Sequence, residues 1–180
     1  FIWYAINSVL DYLDGILIYL DDRSDDKTES IIKTIKSSKI VFKKKSPRNL
    51  QELGNLRQEM LEETQADWIF ILDGDEIWHS DTIAGLRSKI YDLGDKKDLI
   101  VSPNYMLIGD MFHFQPEEAG RYRIAGREGN YNVRFIRKGI PGLHAEGAFL
   151  HEGYADGRGI KIQDLEEERI YFSNEKYLHA

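Results

Sequence analysis

Two short apolar runs, each followed at once by acidic residues, constrain the fold of this chain most strongly. The first run covers residues 15–20 (GILIYL) and is followed by Asp21 and Asp22. The second covers residues 67–72 (DWIFIL) and is followed by residues 73–76 (DGDE). Uninterrupted apolar runs of this length are typical of strands that are covered on both faces, as in parallel α/β sheets. We therefore expect two buried strands that both end in carboxylates.

Helical patterns separate the apolar runs and predict crossover connections. Residues 24–26 (SDD) offer amino-terminal caps for one helix. Asn49 caps a second helix, with Glu52 at the position of a capping-box partner. Gly94 follows a third apolar stripe as a natural helix end. Strand and helix thus alternate as far as residue 103, which predicts βαβ units and a mostly parallel sheet.

The pattern changes from residue 104 onward, where Gly, Asn, Arg and aromatic residues are interleaved. Residues 105–108, 111–114 and 131–136 are predicted to form shorter, partly antiparallel strands. The sequence contains no internal repeat and no low-complexity linker. We therefore predict a single domain that covers residues 1–180, a length that suits one core.

Composition excludes several classes of protein. Lys and Arg total 24 against 31 Asp and Glu, so the formal net charge is −7, which argues against binding to DNA or RNA polymers. Because the chain has no cysteine, thiolate metal sites and cysteine nucleophiles are excluded. No apolar stretch approaches the roughly 18 residues of a transmembrane helix, and residues 1–4 (FIWY) lack a secretory signal pattern. We expect a cytoplasmic protein, with peripheral attachment to the inner face of the membrane as the alternative.

The acids at the strand ends predict a metal site. In open α/β sheets, ligands bind beyond the carboxyl ends of the strands, and clustered carboxylates there need a cation to offset their repulsion. Asp73 and Asp75 are two residues apart, so in an extended backbone their side chains point the same way. Oxygen ligands suit Mg²⁺ or Mn²⁺, and such an ion commonly bridges to the phosphates of a substrate.

Three segments together resemble the family 2 glycosyltransferases with the GT-A fold. Residues 20–28 (LDDRSDDKT) are similar to that family's acidic first signature, V-D-D-G-S-T-D-G-T. Arg57 on a predicted helix, followed by residues 71–76 (ILDGDE), resembles the second signature, about 50 residues after the first. Residues 133–137 (VRFIR) with 147–152 (GAFLHE) resemble a third stretch, found in members related to lipopolysaccharide-core and protein glycosyltransferases. The resemblance covers roughly residues 1–155.

The resemblance implies a Rossmann-like α/β fold, with a mixed, mostly parallel sheet flanked by helices. Residues 1–103 would form the half that binds the nucleotide-sugar, and residues 104–180 the half that faces the acceptor. Arg23 and Lys27 depart from the family pattern, which has glycines at these positions. Family members also begin with a strand that precedes the helix predicted here at residues 1–13, so the sheet is expected to lack its first strand in this chain.

The same resemblance implies which residues hold the donor. Asp21 would contact the nucleotide base, with Asp22 beside it. Arg57 would help to hold the nucleotide-sugar, and Asp73 would lie near the ribose and the water shell of the metal.

The resemblance also implies the metal ligands and the catalytic base. Asp75 would bind the ion that bridges the diphosphate, with Asp73 close to that ion. His151 and His179 are further candidate ligands. Glu152 is expected to be the base that removes the proton of the acceptor hydroxyl.

The implied activity is that of a metal-dependent, inverting glycosyltransferase. The cofactor would be Mn²⁺ or Mg²⁺, the donor a nucleotide-diphosphate sugar, and the acceptor a glycan, a lipid-linked sugar or a protein. The residues alone do not distinguish this activity from two alternatives. One is a sugar nucleotidyltransferase, and the other is an inactive module of the same fold that binds nucleotide or glycan. Trp78, next to the acidic corner, is expected to stack on a sugar face, whereas Trp68 is expected in the core.

Overall fold

The computed structural model describes residues 1–147 and 153–180 as a mixed α/β fold, and the elements named below belong to those residues. Its α-helices are α1 (Ile2–Val9), α2 (Thr28–Thr34), α3 (Leu50–Glu63) and α4 (Ser80–Leu93). Its strands are β1 (Ile16–Asp21), β2 (Ile40–Lys45), β3 (Trp68–Phe70), β4 (Glu76–Ile77), β5 (Leu99–Ile108), β6 (Asp110–Phe114), β7 (Tyr122–Ile124), β8 (Arg127–Gly129), β9 (Tyr131–Arg137), β10 (His144–Glu146), β11 (Gly153–Ala155), β12 (Ile170–Phe172) and β13 (Tyr177–His179).

Local hydrogen bonds and backbone angles mark the ends of three helices. The Asp26 carboxylate accepts a hydrogen bond of 2.9 Å from the backbone N–H of Thr28 at the start of α2. The Asn49 side chain accepts one of 2.9 Å from the Glu52 N–H at the start of α3. Gly94, with φ +53°, follows the last residue of α4. The predicted ends of α3 at Asn49 and of α4 at Gly94 are therefore confirmed. The prediction that residues 24–26 cap α2 is wrong, because the N-cap of α2 is Lys27.

The strands form one large sheet and separate smaller ones. The large sheet, called the main sheet below, has the order β3-β9-β5-β13-β4, with β6 and β12 also paired to β5. A separate sheet contains β1 and β2, which are parallel and connected through α2, as a βαβ unit requires. The predicted α/β fold is confirmed, and strands from both predicted halves share the main sheet.

The main sheet contains more antiparallel pairs than the alternation of strands and helices in the sequence predicts, because of the position of β9. β9 lies between them and is antiparallel to both. Its residues Phe135 and Ile136 are both buried, so a strand from the second half of the chain fills a central position. The parallel pairs of β5 are those with β12 and β13, which follow it by many residues.

The apolar core lies on both faces of β5. Leu99 and Val101 belong to one buried cluster and Ile100 to the other, as the alternation of side chains along a strand requires. Trp78 is 2% exposed and stacks on the Tyr177 ring at 4.4 Å. The expectation that Trp78 stacks on a sugar is therefore wrong, because its ring is part of the core.

A cleft of about 520 Å³ separates β1 from the main sheet. Every residue of β1 is partly exposed, and so is every residue of β3. The expectation that both strands are buried is wrong in this respect, because each of them pairs with a strand on one side only within the described residues. No helix in the part of the chain that the structure describes is long and apolar enough to cross a membrane.

Asp98 connects three strands at one end of the main sheet. Its buried carboxylate accepts hydrogen bonds from Arg137 at 2.8 Å and from Arg169 at 2.6 Å. Its backbone N–H donates to the Arg169 carbonyl, and its own carbonyl accepts from the Arg137 N–H. The start of β5 is thus connected to the end of β9 and the start of β12.

We predict that Asp98→Asn lowers the free energy of unfolding by about 2 kcal/mol, because two charge-assisted hydrogen bonds are lost from a buried position. Denaturant unfolding would measure this change. Asp92→Asn is the matched control, since Asp92 is exposed and lies 3.9 Å from Lys89 in a surface pair. A loss at Asp98 no larger than that of the control would contradict the role of Asp98.

Candidate functional site

The acidic corner formed by residues 73–76 presents two accessible carboxylates above a buried one. The Glu76 N–H donates to the Asp73 carbonyl at 3.2 Å and closes the turn. The side chains of Asp73 and Asp75 are 43% and 46% exposed, whereas that of Glu76 is fully buried. Chain reversal directly after β3 therefore places Asp73 and Asp75 at the carboxyl end of that strand.

The guanidinium of Arg134 lies beneath the corner. Arg134 is on β9, its side chain is 5% exposed, and both of its terminal nitrogens donate to Asp73 Oδ2 at 3.1 Å. One of them also donates to Glu76 Oε1. A planar guanidinium suits this task because its donors lie in a fixed fork. Asp73 is thereby anchored through one oxygen, and Oδ1 makes no hydrogen bond or ion pair with the residues described in the structure.

Arg134 belongs to a larger group of buried polar side chains. Its Nε donates to the Tyr177 hydroxyl at 2.9 Å. The same hydroxyl lies 2.9 Å from the side-chain amide of Asn132 and accepts from that of Asn104 at 3.4 Å. The polar layer, as we call it below, consists of Glu76, Asn104, Asn132, Arg134 and Tyr177. These residues come from β4, β5, β9 and β13, so the layer fixes the corner relative to four strands.

Burial raises the pKa of two groups in the polar layer, the Glu76 carboxyl and the Tyr177 hydroxyl. Desolvation raises the pKa of Glu76 to about 7, against the opposing effect of Arg134 and with a contribution from nearby Asp73. Desolvation likewise raises the pKa of Tyr177, which keeps its hydroxyl neutral. One guanidinium thus contacts two carboxylates, and burial makes that of Glu76 harder to ionise than an exposed glutamate.

The carboxyl-terminal strand brings His179 to Asp75. β13 pairs with β4, which places His179 opposite Glu76, and the Ala180 N–H donates to the Asp75 carbonyl at 3.1 Å. His179 Nε2 lies 3.8 Å from Asp75 Oδ1. Its Nδ1 is buried and has no hydrogen-bond partner among the described residues. Two of the predicted metal ligands, Asp75 and His179, are thus adjacent.

The corner fits a divalent ion that takes part of its shell from water and substrate. Carboxylate oxygen and imidazole nitrogen are suitable ligands for Mn²⁺, and Mg²⁺ is usually held by one or two carboxylates together with phosphates. Within residues 1–147 and 153–180, no group of three or more His, Asp and Glu side chains is arranged to hold an ion alone. His151, another predicted ligand, lies outside the described residues.

The acids at the end of β1 are held by local partners. The Asp21 carboxylate accepts from the Arg23 backbone N–H at 3.0 Å and from Arg23 Nε at 2.9 Å, and these bonds lower the pKa of Asp21 to about 2. Asp22 accepts from the Ser46 hydroxyl. No hydrogen bond or ion pair connects either acid to residues 73–76 within the described chain. The structure therefore keeps Asp21 and Asp22 at the predicted strand end but not in contact with the corner.

Arg57 lies on α3. It lines the cleft together with Tyr154. Burial raises the pKa of Tyr154, and the charge of Arg57 and its hydrogen bond to the hydroxyl act in the opposite direction. Glu152, the predicted base, lies outside the described residues, two positions before Tyr154 in the chain.

The residues of the polar layer had no role assigned from the sequence. Arg134 lies within the segment 133–137 that carries the family resemblance, and a charged residue between apolar residues of a strand is a signal for a buried ion pair. Tyr177 has no such signal, because its partners come from distant strands.

Comparisons with known proteins identify a matching family. The family model described as glycosyl transferase family 2 matches residues 1–149. No curated protein matches the chain.

Solved structures of similar fold cover nearly the whole chain. S. aureus TarS (residues 1–349) shares 14% identity at a TM-score of 0.60, with 99% of this chain and 56% of that chain covered. Glucosyl-3-phosphoglycerate synthase from Mycobacterium tuberculosis, in complex with phosphoglyceric acid, shares 16% identity at a TM-score of 0.59, with 99% and 67% covered. The same synthase in complex with Mn²⁺ and UDP-glucose gives a TM-score of 0.54. The likeness is one of fold, and the chain spans 56% of TarS.

We predict that Glu76→Gln removes a pH dependence of stability. Since the pKa of Glu76 rises from an ordinary 4.5 to about 7 on folding, ionisation of this group favours the unfolded state. Its contribution to the free energy of unfolding is therefore fully present below pH 4.5 and is lost as the pH rises to about 7, by at most about 3 kcal/mol.

Denaturant unfolding between pH 5 and pH 8 would test this prediction. The difference in stability between the wild-type protein and Glu76→Gln should fall as the pH rises, whereas exposed Glu168→Gln should give a constant difference. Parallel pH profiles for the wild-type protein and Glu76→Gln would contradict the assignment.

Proposed function

Because the chain belongs to glycosyl transferase family 2, we propose that it transfers a sugar from a nucleotide-diphosphate sugar to an acceptor hydroxyl. The observation that carries the proposal is the acidic corner, in which Asp73 and Asp75 are accessible and Asp73 is anchored by buried Arg134. Such an anchor keeps a carboxylate in one orientation at the carboxyl end of a strand, where α/β sheets bind ligands.

Asp73 and Asp75 hold a divalent ion in this proposal, with His179 beside Asp75. The net charge of −7 would repel an anionic donor, so the donor binds together with the cation. When bound, Mn²⁺ or Mg²⁺ acts as a Lewis acid on the diphosphate. The Mn²⁺ and UDP-glucose complex of the mycobacterial synthase supports the choice of this ion and donor class.

Other side chains orient the donor. Asp21, at the end of β1, contacts the nucleotide base, with Asp22 beside it, and Asp21 is held in place by Arg23. Arg57 supplies a positive charge in the cleft, beside Tyr154.

Glu152 is the proposed base of a single displacement. The acceptor oxygen bonds to the anomeric carbon while the bond from that carbon to the diphosphate oxygen breaks, and the hydroxyl proton moves to Glu152. The nucleoside diphosphate leaves with the bonding electrons, so the anomeric centre is inverted. The acceptor is a glycan, a lipid-linked sugar or a protein hydroxyl, bound by residues 104–180.

A donor-hydrolysis assay separates this proposal from its two alternatives. UDP-, GDP- and dTDP-sugars are incubated with the protein, with and without Mn²⁺, and the products are identified. Release of sugar together with nucleoside diphosphate supports transfer. Formation of a nucleoside triphosphate from added pyrophosphate would indicate a nucleotidyltransferase, and binding without products would indicate an inactive module.

We predict that Asp75→Asn weakens Mn²⁺-dependent binding of the donor at least about tenfold, because one anionic oxygen ligand is lost. Titration calorimetry with the retained nucleotide-sugar, with and without Mn²⁺, would measure the loss. Asp81→Asn is the control, since the Asp81 side chain is 94% exposed at the start of α4. Equal affinity of Asp75→Asn and the control would remove Asp75 from the metal site.

We predict that Glu152→Gln separates binding from turnover. Glutamine keeps the shape of the side chain but cannot accept the proton, so turnover should fall about 10²- to 10⁴-fold. The dissociation constant of the donor should stay within about twofold, since a base acts on the acceptor and not on donor affinity. Glu146→Gln on β10 is the matched control, and normal turnover of Glu152→Gln would exclude Glu152 as the base.

A further inference from the structure

A hairpin after β5 carries a cluster of exposed apolar side chains. β5 ends at residue 108, the chain turns at Gly109 with φ +77°, and β6 returns beside it. We call residues 107–114 the apolar hairpin. Its large apolar residues that are more than half exposed are Ile108, Met111, Phe112 and Phe114. Clusters of this kind mark surfaces that contact a partner or a membrane.

β6 is exposed on both of its faces. Side chains alternate along a strand, so Met111 and His113 lie on one face. Phe112 and Phe114 lie on the other face, and every residue of β6 is exposed. Phe114 contacts the Tyr105 ring at 4.8 Å but stays half exposed. Because β6 pairs only with β5 within the described residues, the hairpin projects from the main sheet, and an occupant has to surround it.

The polar groups of the apolar hairpin have partners within it. The Asp110 carboxylate accepts hydrogen bonds from the backbone N–H groups of Phe112 at 2.8 Å and His113 at 3.1 Å. His113 Nδ1 lies 2.8 Å from the same oxygen. Two N–H groups of β6 are therefore occupied by a side chain, which disfavours pairing with a strand of a second copy. The hydroxyl groups of a sugar would find few free partners here.

The apolar hairpin carries little charge in an acidic chain. Asp110 is the only Asp, Glu, Lys or Arg within residues 105–115, and it is paired with His113. Lys176 Nζ, 4.7 Å from the centroid of the Tyr105 ring, is itself paired with Glu117. An uncharged, apolar occupant is therefore the complementary one.

The apolar hairpin leaves the main sheet at the end that carries the acidic corner. β3 and β5 are both antiparallel to β9, so their carboxyl ends lie at the same end of the sheet. Met106 is opposite His179 in the register, and His179 is opposite Glu76. Ile108 follows Met106 by two residues, about 7 Å along the strand. The occupant of the hairpin therefore lies at the same end of the sheet as the candidate site.

The interfacial layer of a lipid bilayer meets all of these requirements. Lipids surround a projecting element on both faces, and their acyl chains accept apolar side chains. A paired polar group such as Asp110 can stay at the level of the head groups, where water is present. A second copy, by contrast, would cover one face or one edge of β6.

We propose that the apolar hairpin inserts into the interfacial layer of a lipid bilayer, with Ile108, Met111 and Phe112 at the acyl boundary. This contact goes beyond the proposed function and does not depend on it. Together with that function, the contact brings the acidic corner to the membrane and selects the lipid-linked sugar among the three acceptor classes. Only this consequence rests on the proposed function.

The test is flotation of the chain with vesicles of phosphatidylcholine, without any nucleotide-sugar. The wild-type protein should float with the vesicles, reversibly, since a few side chains bury less apolar area than an acyl anchor. Phe112→Ser should lower the partition coefficient at least about tenfold, because the most exposed apolar side chain of the hairpin is lost. Tyr91→Ser, at a 74% exposed position on α4, is the matched control and should stay within about twofold of the wild type.

Four results would overturn the proposal. One is no flotation of the wild-type protein, and another is equal partition of Phe112→Ser and the control. A third is binding to anionic vesicles alone that is abolished by salt, which would indicate contact through charge. The fourth is a concentration-dependent dimer without lipid that Phe112→Ser abolishes, which would identify a second copy as the occupant.

A second measurement on the unmodified chain keeps the test decisive if Phe112→Ser does not fold. Phosphatidylcholine with a nitroxide on its acyl chain is added to the vesicles, and broadening is recorded on backbone amide resonances. The amides of residues 108–114 should broaden before those of α4, and equal or no broadening of the two segments overturns the proposal. Absence of donor hydrolysis would remove the proposed function and leave these results unaffected, because neither assay contains a donor.

Discussion

The candidate site depends on one buried guanidinium. Arg134 donates to Asp73, Glu76 and Tyr177, which come from the corner after β3, from β4 and from β13. A buried cation with this many partners is costly to displace, because any lost partner leaves an uncompensated polar group. The orientation of Asp73, at the surface, is therefore determined by strands that lie far from it in sequence. The acidic corner and the carboxyl-terminal strand form a single structural unit.

Local patterns in the sequence predicted the elements but not the network. Asn49 and Gly94 mark helix ends through interactions within a few residues, so their effect is visible in the sequence. The acids after β3 are also a local feature. By contrast, Arg134 lies 58 residues from Glu76 and 43 from Tyr177, and one sequence contains no signal for such pairs. The burial of Trp78 could not be predicted from its sequence neighbours either. Trp78 packs on the Tyr177 ring, which is far from it in sequence, and the acids beside it in the chain do not determine its position.

The cleft beside β1 shows a different limit of sequence reasoning. The apolar runs in the sequence predict correctly that β1 and β3 are strands. Whether a strand is buried also depends on a neighbouring strand on each side, and the order of strands in a sheet cannot be derived from one strand's own sequence. Because the open edge of β3 leads directly to Asp73, the cleft and the acidic corner share one end of the sheet. Two apolar strands that are partly exposed, β1 and β3, thus line the same cleft, and acidic residues follow both of them.

The central claim is that the Asp73–Asp75 corner holds the divalent ion with the donor diphosphate. Paramagnetic broadening by Mn²⁺, recorded on backbone amide resonances in the presence of a retained nucleotide-sugar, tests it most directly. The account predicts that the amides of residues 73–76 and of Ala180, whose N–H bonds to Asp75, broaden at the lowest Mn²⁺ concentrations. Sharp signals at these residues, with first broadening at the acidic surface of residues 164–168, would contradict it.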